Sequence, residues 1–180
     1  MATATKRWTY EEYLKLEDDK RYEIIRGELL EMPAPTTTHQ RLVGKLFRWM
    51  SDFVESKSLG EVFVSPVDVV LSEENVLQPD LVYISKKNSN IIKERGIFGA
   101  PDLVLEVISP STLKRDTEDK KSLYREFGVK ELWLVFPGEI AVEVFSLKSD
   151  RFEVCSFGYE KGSVRSCLLK NFEVDLEKLF

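Results

Sequence analysis

The stretch from residue 102 to residue 136 constrains the fold of this 180-residue chain more than any other. "DLVLEVIS" is apolar and β-branched, with Pro101 before it and Pro110 after it, and reads as a strand. "KRDTEDKKSLYREFG" follows as a helix closed by Gly128. "ELWLVFP" then returns as a second strand. A strand, a helix and a strand in that order join two parallel strands by a right-handed crossover. Parallel strands sit where both faces of a sheet are covered. The expected fold is therefore α/β in the α+β sense, a mixed β-sheet flanked by helices.

Shorter signals surround that unit. "TYEEYLKLEDD" is a short amphipathic helix, with Thr9 and Glu12 at capping-box spacing. "RYEIIRGELLEM" reads as a hairpin turning at Arg26-Gly27. A second helix is expected from about His39 to Lys57, where Leu42, Leu46, Phe47, Met50 and Phe53 recur at helical spacing and Thr37 and Gln40 could cap it. "GEVFVSPVDVVLSEE" is strand-like, with a bulge or bend at Pro66, and "QPDLVYIS" is another strand. "KKNSNIIKERGIFGA" reads as a basic connection. "AVEVFSLKSDRFEVCSF" forms a second hairpin turning near Lys148 to Asp150. No repeat, linker or low-complexity segment divides the chain, so residues 1–180 are expected to form one domain with hairpins added at both ends.

Composition narrows the partners. No apolar run reaches membrane-spanning length and no signal-peptide pattern is present, so the expected protein is soluble, without a membrane partner. Cys155 and Cys167 lack CxxC spacing, which predicts neither a zinc site nor a disulfide but two reduced thiols in the cytoplasm. A net charge of -5 argues against broad non-specific nucleic-acid binding while leaving room for a local basic patch.

Three charges break the apolar pattern. Glu106 sits in the middle of "DLVLEVIS", where an unpaired carboxylate would cost several kcal/mol or take up a proton. Alternation puts Asp102, Val104, Glu106 and Ile108 on one face and Leu103, Leu105 and Val107 on the other. In the next helix Asp116, Lys120 and Tyr124 are spaced by four, and Leu123 and Phe127 join their stripe, so Lys120 lies on the sheet-facing side. Asp80 opens "PDLVYIS", another core strand. Two carboxylates on core strands make a hard oxygen site suited to Mg²⁺, with Mn²⁺ as a substitute. A neighbouring lysine can orient a water or neutralise developing charge. That inventory fits phosphodiester hydrolysis.

These residues resemble a known family. "QPDLVYIS", "GAPDLVLEVISPST" and "RDTEDKKSLYREFGVKELWLV" together look like the Uma-type restriction endonuclease family of the PD-(D/E)XK nuclease superfamily, and "RYEIIRGELLEMPAPTTTHQ" is similar to that family's hairpin and His-Gln helix opening. The resemblance implies a restriction-endonuclease-like fold and a Mg²⁺-dependent endonuclease acting on DNA. Asp80 would be the metal-binding Asp of the "PD" motif and Glu106 the acid of "(D/E)XK". The usual lysine position falls on Ile108, so Lys120, on the following helix, would take that role. The backbone carbonyl of Val107 would be a further metal ligand. The chain departs from the family where "VDP" is common, since it has Phe136 there.

Secondary candidates have plainer readings beside them. His39, the sole histidine, begins a helix and could touch phosphate or simply be structural. Glu23 and Glu28 lie in the first hairpin, where one could approach the metal or both could face solvent. Tyr124 packs, with its hydroxyl free to reach a site carboxylate. Asp102 is about 13 Å along the strand from Glu106, too far to share a metal, and reads better as a cap on the start of the strand. The competing function is a catalytically silent nucleic-acid-binding or scaffolding module. A glycosidase with paired carboxylates leaves Lys120 unexplained. A homodimer is expected from the hairpin aromatics Phe145, Phe152 and Phe157 and from the need to cut two strands. Neither Glu106→Gln nor Lys120→Ala is expected to remove the stability of a buried ion pair, because crowded carboxylates repel each other without metal.

Overall fold

The computed structural model describes residues 6–180. Helix α1 (Tyr10–Tyr13) starts at Thr9 with the expected capping box: the Thr9 hydroxyl accepts from the Glu12 amide and the Glu12 carboxylate accepts from Thr9. Strands β1 (Tyr22–Ile25) and β2 (Glu28–Glu31) pair with Ile25 opposite Glu28. Both turn residues between them, Arg26 (φ 52°) and Gly27 (φ 79°), adopt the left-handed conformation that a two-residue hairpin requires. Helix α2 (Thr37–Ser56) follows, capped by Thr36, whose hydroxyl accepts from the His39 amide, rather than by Thr37.

The segment "GEVFVSPVDVVLSEE" is not one bent strand. It splits at a cis Ser65-Pro66 bond into β3 (Gly60–Val64) and β4 (Val69–Ser72), which belong to different sheets. Strand β5 (Asn75–Leu77) pairs with β4, and β6 (Leu81–Ser85) pairs with β3. The basic connection is ordered: a 3₁₀ turn (Lys86–Ile91) leads to a small hairpin of β7 (Ile92–Lys93) and β8 (Gly96–Phe98). Strand β9 (Leu103–Val107) is the "DLVLEVIS" strand. A π-helical turn (Arg115–Lys120) then runs into α3 (Lys121–Glu126), and β10 (Glu131–Phe136) lies parallel to β9, as the crossover requires. Strands β11 (Ala141–Lys148) and β12 (Arg151–Tyr159) form the second hairpin. The chain ends in β13 (Ser163–Arg165), β14 (Glu173–Asp175) and α4 (Leu176–Leu179).

The mixed α+β architecture thus has two six-stranded sheets, ordered β2-β1-β5-β4-β8-β7 and β12-β11-β10-β9-β6-β3, with a small β13-β14 pair. One face of β9 (Leu103, Leu105, Val107) packs with Leu81, Trp133 and Val135 against Leu42, Leu46 and Met50 of α2. The other face, with Val104, packs with Val82, Leu132 and Leu134 against Leu123 and Tyr124 of α3 and against Val69, Leu77 and Ile97 of the first sheet. Leu103, Val104, Leu105 and Val107 are all essentially inaccessible. At about 1.5–3 kcal/mol for each buried side chain, they more than offset the several kcal/mol needed to desolvate one carboxylate among them.

Three expectations change. Cys155 and Cys167 are not free thiols but form a disulfide, with Cα atoms 6.7 Å apart. They are 12 residues apart, and the return of β13 onto β12 brings them together, a proximity that local spacing does not reveal. The cytoplasmic expectation loses the support it drew from reduced thiols. Phe145 and Phe152 pack edge to face within the second core rather than waiting for a second copy, and only Phe157 remains exposed. Among the described residues, no helix is long and apolar enough to cross a membrane.

Candidate active site

The register of β6 against β9 places the first two candidates. Leu81 lies opposite Leu105 and Val82 opposite Val104, so the next step along the pair sets Asp80 opposite Glu106. Directly opposed residues of an antiparallel pair project to the same side. The N-terminus of α2 and the π-helical turn meet at this end of the sheet and bring His39 and Lys120 to it. Asp80, Glu106, Val107, Lys120, His39, Glu23 and Asp116 all line one cleft of about 120 Å³.

Each side chain is held by named partners. Oδ2 of Asp80 accepts from the Val107 amide at 2.8 Å and faces Nε2 of His39 at 3.1 Å. Oε1 of Glu106 accepts from Lys120 Nζ at 3.0 Å and from the Tyr124 hydroxyl at 2.6 Å. The other carboxylate oxygens, Oδ1 of Asp80 and Oε2 of Glu106, accept no hydrogen bond among the described residues. Lys120, only 2% exposed, is ringed by Glu23 at 2.8 Å, Glu106 at 3.0 Å and Asp116 at 3.3 Å. Glu23 also accepts from the Gln78 amide at 2.9 Å, tying the first hairpin to the approach to Asp80. Arg115 comes within 3.9 Å of Glu23 from the π-helical turn.

The electrostatics follow from burial and from the excess of acid. Burial holds the Glu106 carboxyl well above the usual carboxylate range, and the charges of Asp116, Asp80 and Glu23 add to the effect against the opposing pull of Lys120. Burial alone would lower the Lys120 pKa, but Glu106, Glu23 and Asp116 together hold it well above the ordinary lysine value, so it stays an ammonium. Burial and the same carboxylates push Tyr124 well up, so it stays protonated and donates to Glu106. For His39, desolvation is outweighed by the Asp80 hydrogen bond and charge, and the imidazole pKa is raised. Three carboxylates share one buried ammonium, with Asp80 close by. A hard cation held by the unpartnered oxygens of Asp80 and Glu106 fits this donor set, since it supplies the missing positive charge through oxygen ligands.

Several candidates take other places. Asp102 stands outside the cleft: it accepts from the Ser85 amide at 2.8 Å and from Asn88 at 3.2 Å and pairs with Lys130, so it fastens the start of β9. Glu28 is exposed at the start of β2 and does not line the cleft. Glu23 enters the cleft instead, because alternation along β1 turns it inward. Sequence reasoning missed Arg21, Gln78 and Arg115. The one legible sign was that Gln78 lies two residues before Asp80.

Comparison with known proteins agrees with this architecture. Residues 10–177 match the Uma2 family, described as "Putative restriction endonuclease". A relative from Synechocystis sp., "Uncharacterized protein sll1609", is 27% identical over 128 residues, covering 69% of this chain and 72% of the relative. A crystal structure from Anabaena variabilis, described as "a putative nuclease belonging to DUF820", superposes with a TM-score of 0.79 at 20% identity, covering 96% of this chain and 97% of that one. The likeness to that structure is one of fold. Because the family match runs from α1 into α4, this chain belongs to the Uma2 family.

Proposed function

We propose that this protein is a Mg²⁺-dependent endonuclease that hydrolyses phosphodiester bonds of DNA. Asp80, Glu106 and the Val107 carbonyl hold the ion, and Lys120 serves the reacting phosphate. The observation that carries this reading is the cleft shared by Asp80 and Glu106, each with an unpartnered oxygen, beside an ammonium that three carboxylates keep charged. Bound there, Mg²⁺ supplies Lewis acidity toward a phosphoryl oxygen and lowers the pKa of a water. Lys120 presents a fixed positive charge to the oxygen that gains charge in the transition state. Tyr124, Glu23 and Asp116 keep Glu106 and Lys120 in place. Nε2 of His39 orients Asp80.

His39 gives a readout that does not depend on cleavage, because it is the chain's only histidine. In metal-free protein its imidazole resonance should titrate above 6.5. Its protonation therefore stabilises the fold fully below the unfolded value of about 6.5, and that contribution is lost as pH rises through the higher folded value. Added Mg²⁺ should lower the midpoint, since a cation on Asp80 repels the imidazolium. Proton NMR checks both. A midpoint that does not respond to millimolar-range Mg²⁺, together with no cleavage of either single-stranded or duplex DNA, would leave the silent-module reading in its place.

A further inference from the structure

We propose that the cleft takes an unpaired DNA strand rather than an intact duplex. This rests on the nuclease reading and names the substrate class of the same site. The first observation is depth. Glu106, Lys120, Glu23 and Asp116 are each at most 4% exposed. The side chains of Asp80 and His39 are only 15% and 16% exposed. The second is size. The free space among the lining side chains, about 120 Å³, is well above what one water needs and takes a phosphodiester group. A duplex carries its phosphates on a stiff, convex rod. To bring one of them to Asp80 and Glu106, the rod would have to pass the lining residues 32–36 and Ser109, Ser111, Thr112 and Arg115.

The walls fit a single strand in kind. Met32, Pro33, Ala34, Pro35 and Val43 give one apolar side, against which an unstacked base can pack. No Phe, Tyr or Trp ring lines the cleft, so the base packs mainly on aliphatic side chains, and little base preference follows. Besides Lys120, two arginines reach the cleft from separate elements. Arg21 is held by Gln78 Oε1 at 3.0 Å and Ser65 Oγ at 2.7 Å, and Arg115 rides on the π-helical turn. Each can take a phosphate next to the scissile one. A net charge of -5 leaves little general attraction for duplex, so affinity comes from these local contacts.

The test is fluorescence anisotropy of a short fluorescein-labelled oligonucleotide, single-stranded or annealed to its complement, with Ca²⁺ replacing Mg²⁺ so that binding is read apart from cleavage. The expected result is about ten-fold or greater preference for the single strand, with a salt dependence whose slope falls by about 0.7 in Arg21→Ala and again in Arg115→Ala. Equal or tighter binding of the duplex overturns the inference and leaves the nuclease reading standing. No binding of either form overturns the inference. Cleavage in Mg²⁺ of the same oligonucleotide, single-stranded or annealed, by the same preparation then tells whether the nuclease reading has failed with it. A salt slope unchanged in both variants also overturns it, because the two arginines would then be structural.

Discussion

Lys120→Ala protein stripped of divalent metal should unfold about 3–5 kcal/mol more easily than the wild type, the range for removing one partner of a buried ion pair. The structure reverses the expectation drawn from the sequence, which treated Lys120 as a neighbour of two acids. It is instead the ammonium shared by Glu23, Glu106 and Asp116. Removing it leaves three buried carboxylates with no compensating charge at their centre. Urea denaturation with chelator should show a lower midpoint and an unchanged slope. The deficit should shrink toward acid pH, where the carboxylates take up protons. Mg²⁺ at about 100 times its dissociation constant should restore about 2.7 kcal/mol. Cleavage should nevertheless stay down by ~10² or more, the scale of losing one transition-state charge contact. A Lys120→Ala protein as stable as the wild type in chelator would mean that the carboxylates are accommodated without the ammonium.

Glu106→Gln should do the opposite. Cleavage should fall to background, and metal affinity should drop by at least the ~10–100-fold typical of outer-shell partners, because a charged ligand is lost. The fold should hold. An amide oxygen can still accept from Lys120 and Tyr124, and Lys120 keeps Glu23 and Asp116. The pH dependence fixes the sign. The folded-state pKa of Glu106 is raised, so the stability from its bound proton is fully present below the ordinary carboxylate value and is lost as pH rises through the raised value. Metal-free wild type should therefore weaken across that window and the glutamine variant should not. Calorimetry of both proteins over the acid-to-neutral range measures the difference. A variant that loses stability at every pH would make Glu106 a structural residue.

The residues that the sequence exposes are those that violate a local rule. Glu106 interrupts a run of buried apolar residues, and Lys120 falls on a stripe shared with Leu123 and Tyr124. Both sit among buried neighbours, at positions that alternation and helical spacing identify. Glu23 was harder to place. Which way a hairpin carboxylate faces depends on the sheet it joins, and β1 joins β5 through a single register pair, Ile24 with Val76. Pro66 signals a break in "VFVSPVDVV", but nothing local says that the chain changes sheets there. Arg21 and Gln78 meet across 57 residues, and Cys155 and Cys167 across a fold-back, so their partnerships exist only in three dimensions. The π-helical turn was hidden for a simpler reason: a spacing of four between Asp116 and Lys120 suits either winding.

That turn has a consequence for inherited change. A π-helical turn holds one more residue than the α-helical turn it replaces. Loss of a single residue between Asp116 and Lys120 would let that turn wind as an α-helix with both flanks near their present phase, so Leu123 and Tyr124 would keep their seats in the core. The spacing of four that joins Asp116 to Lys120 would become three. One in-frame codon therefore alters the cage around Lys120 while the scaffold stands.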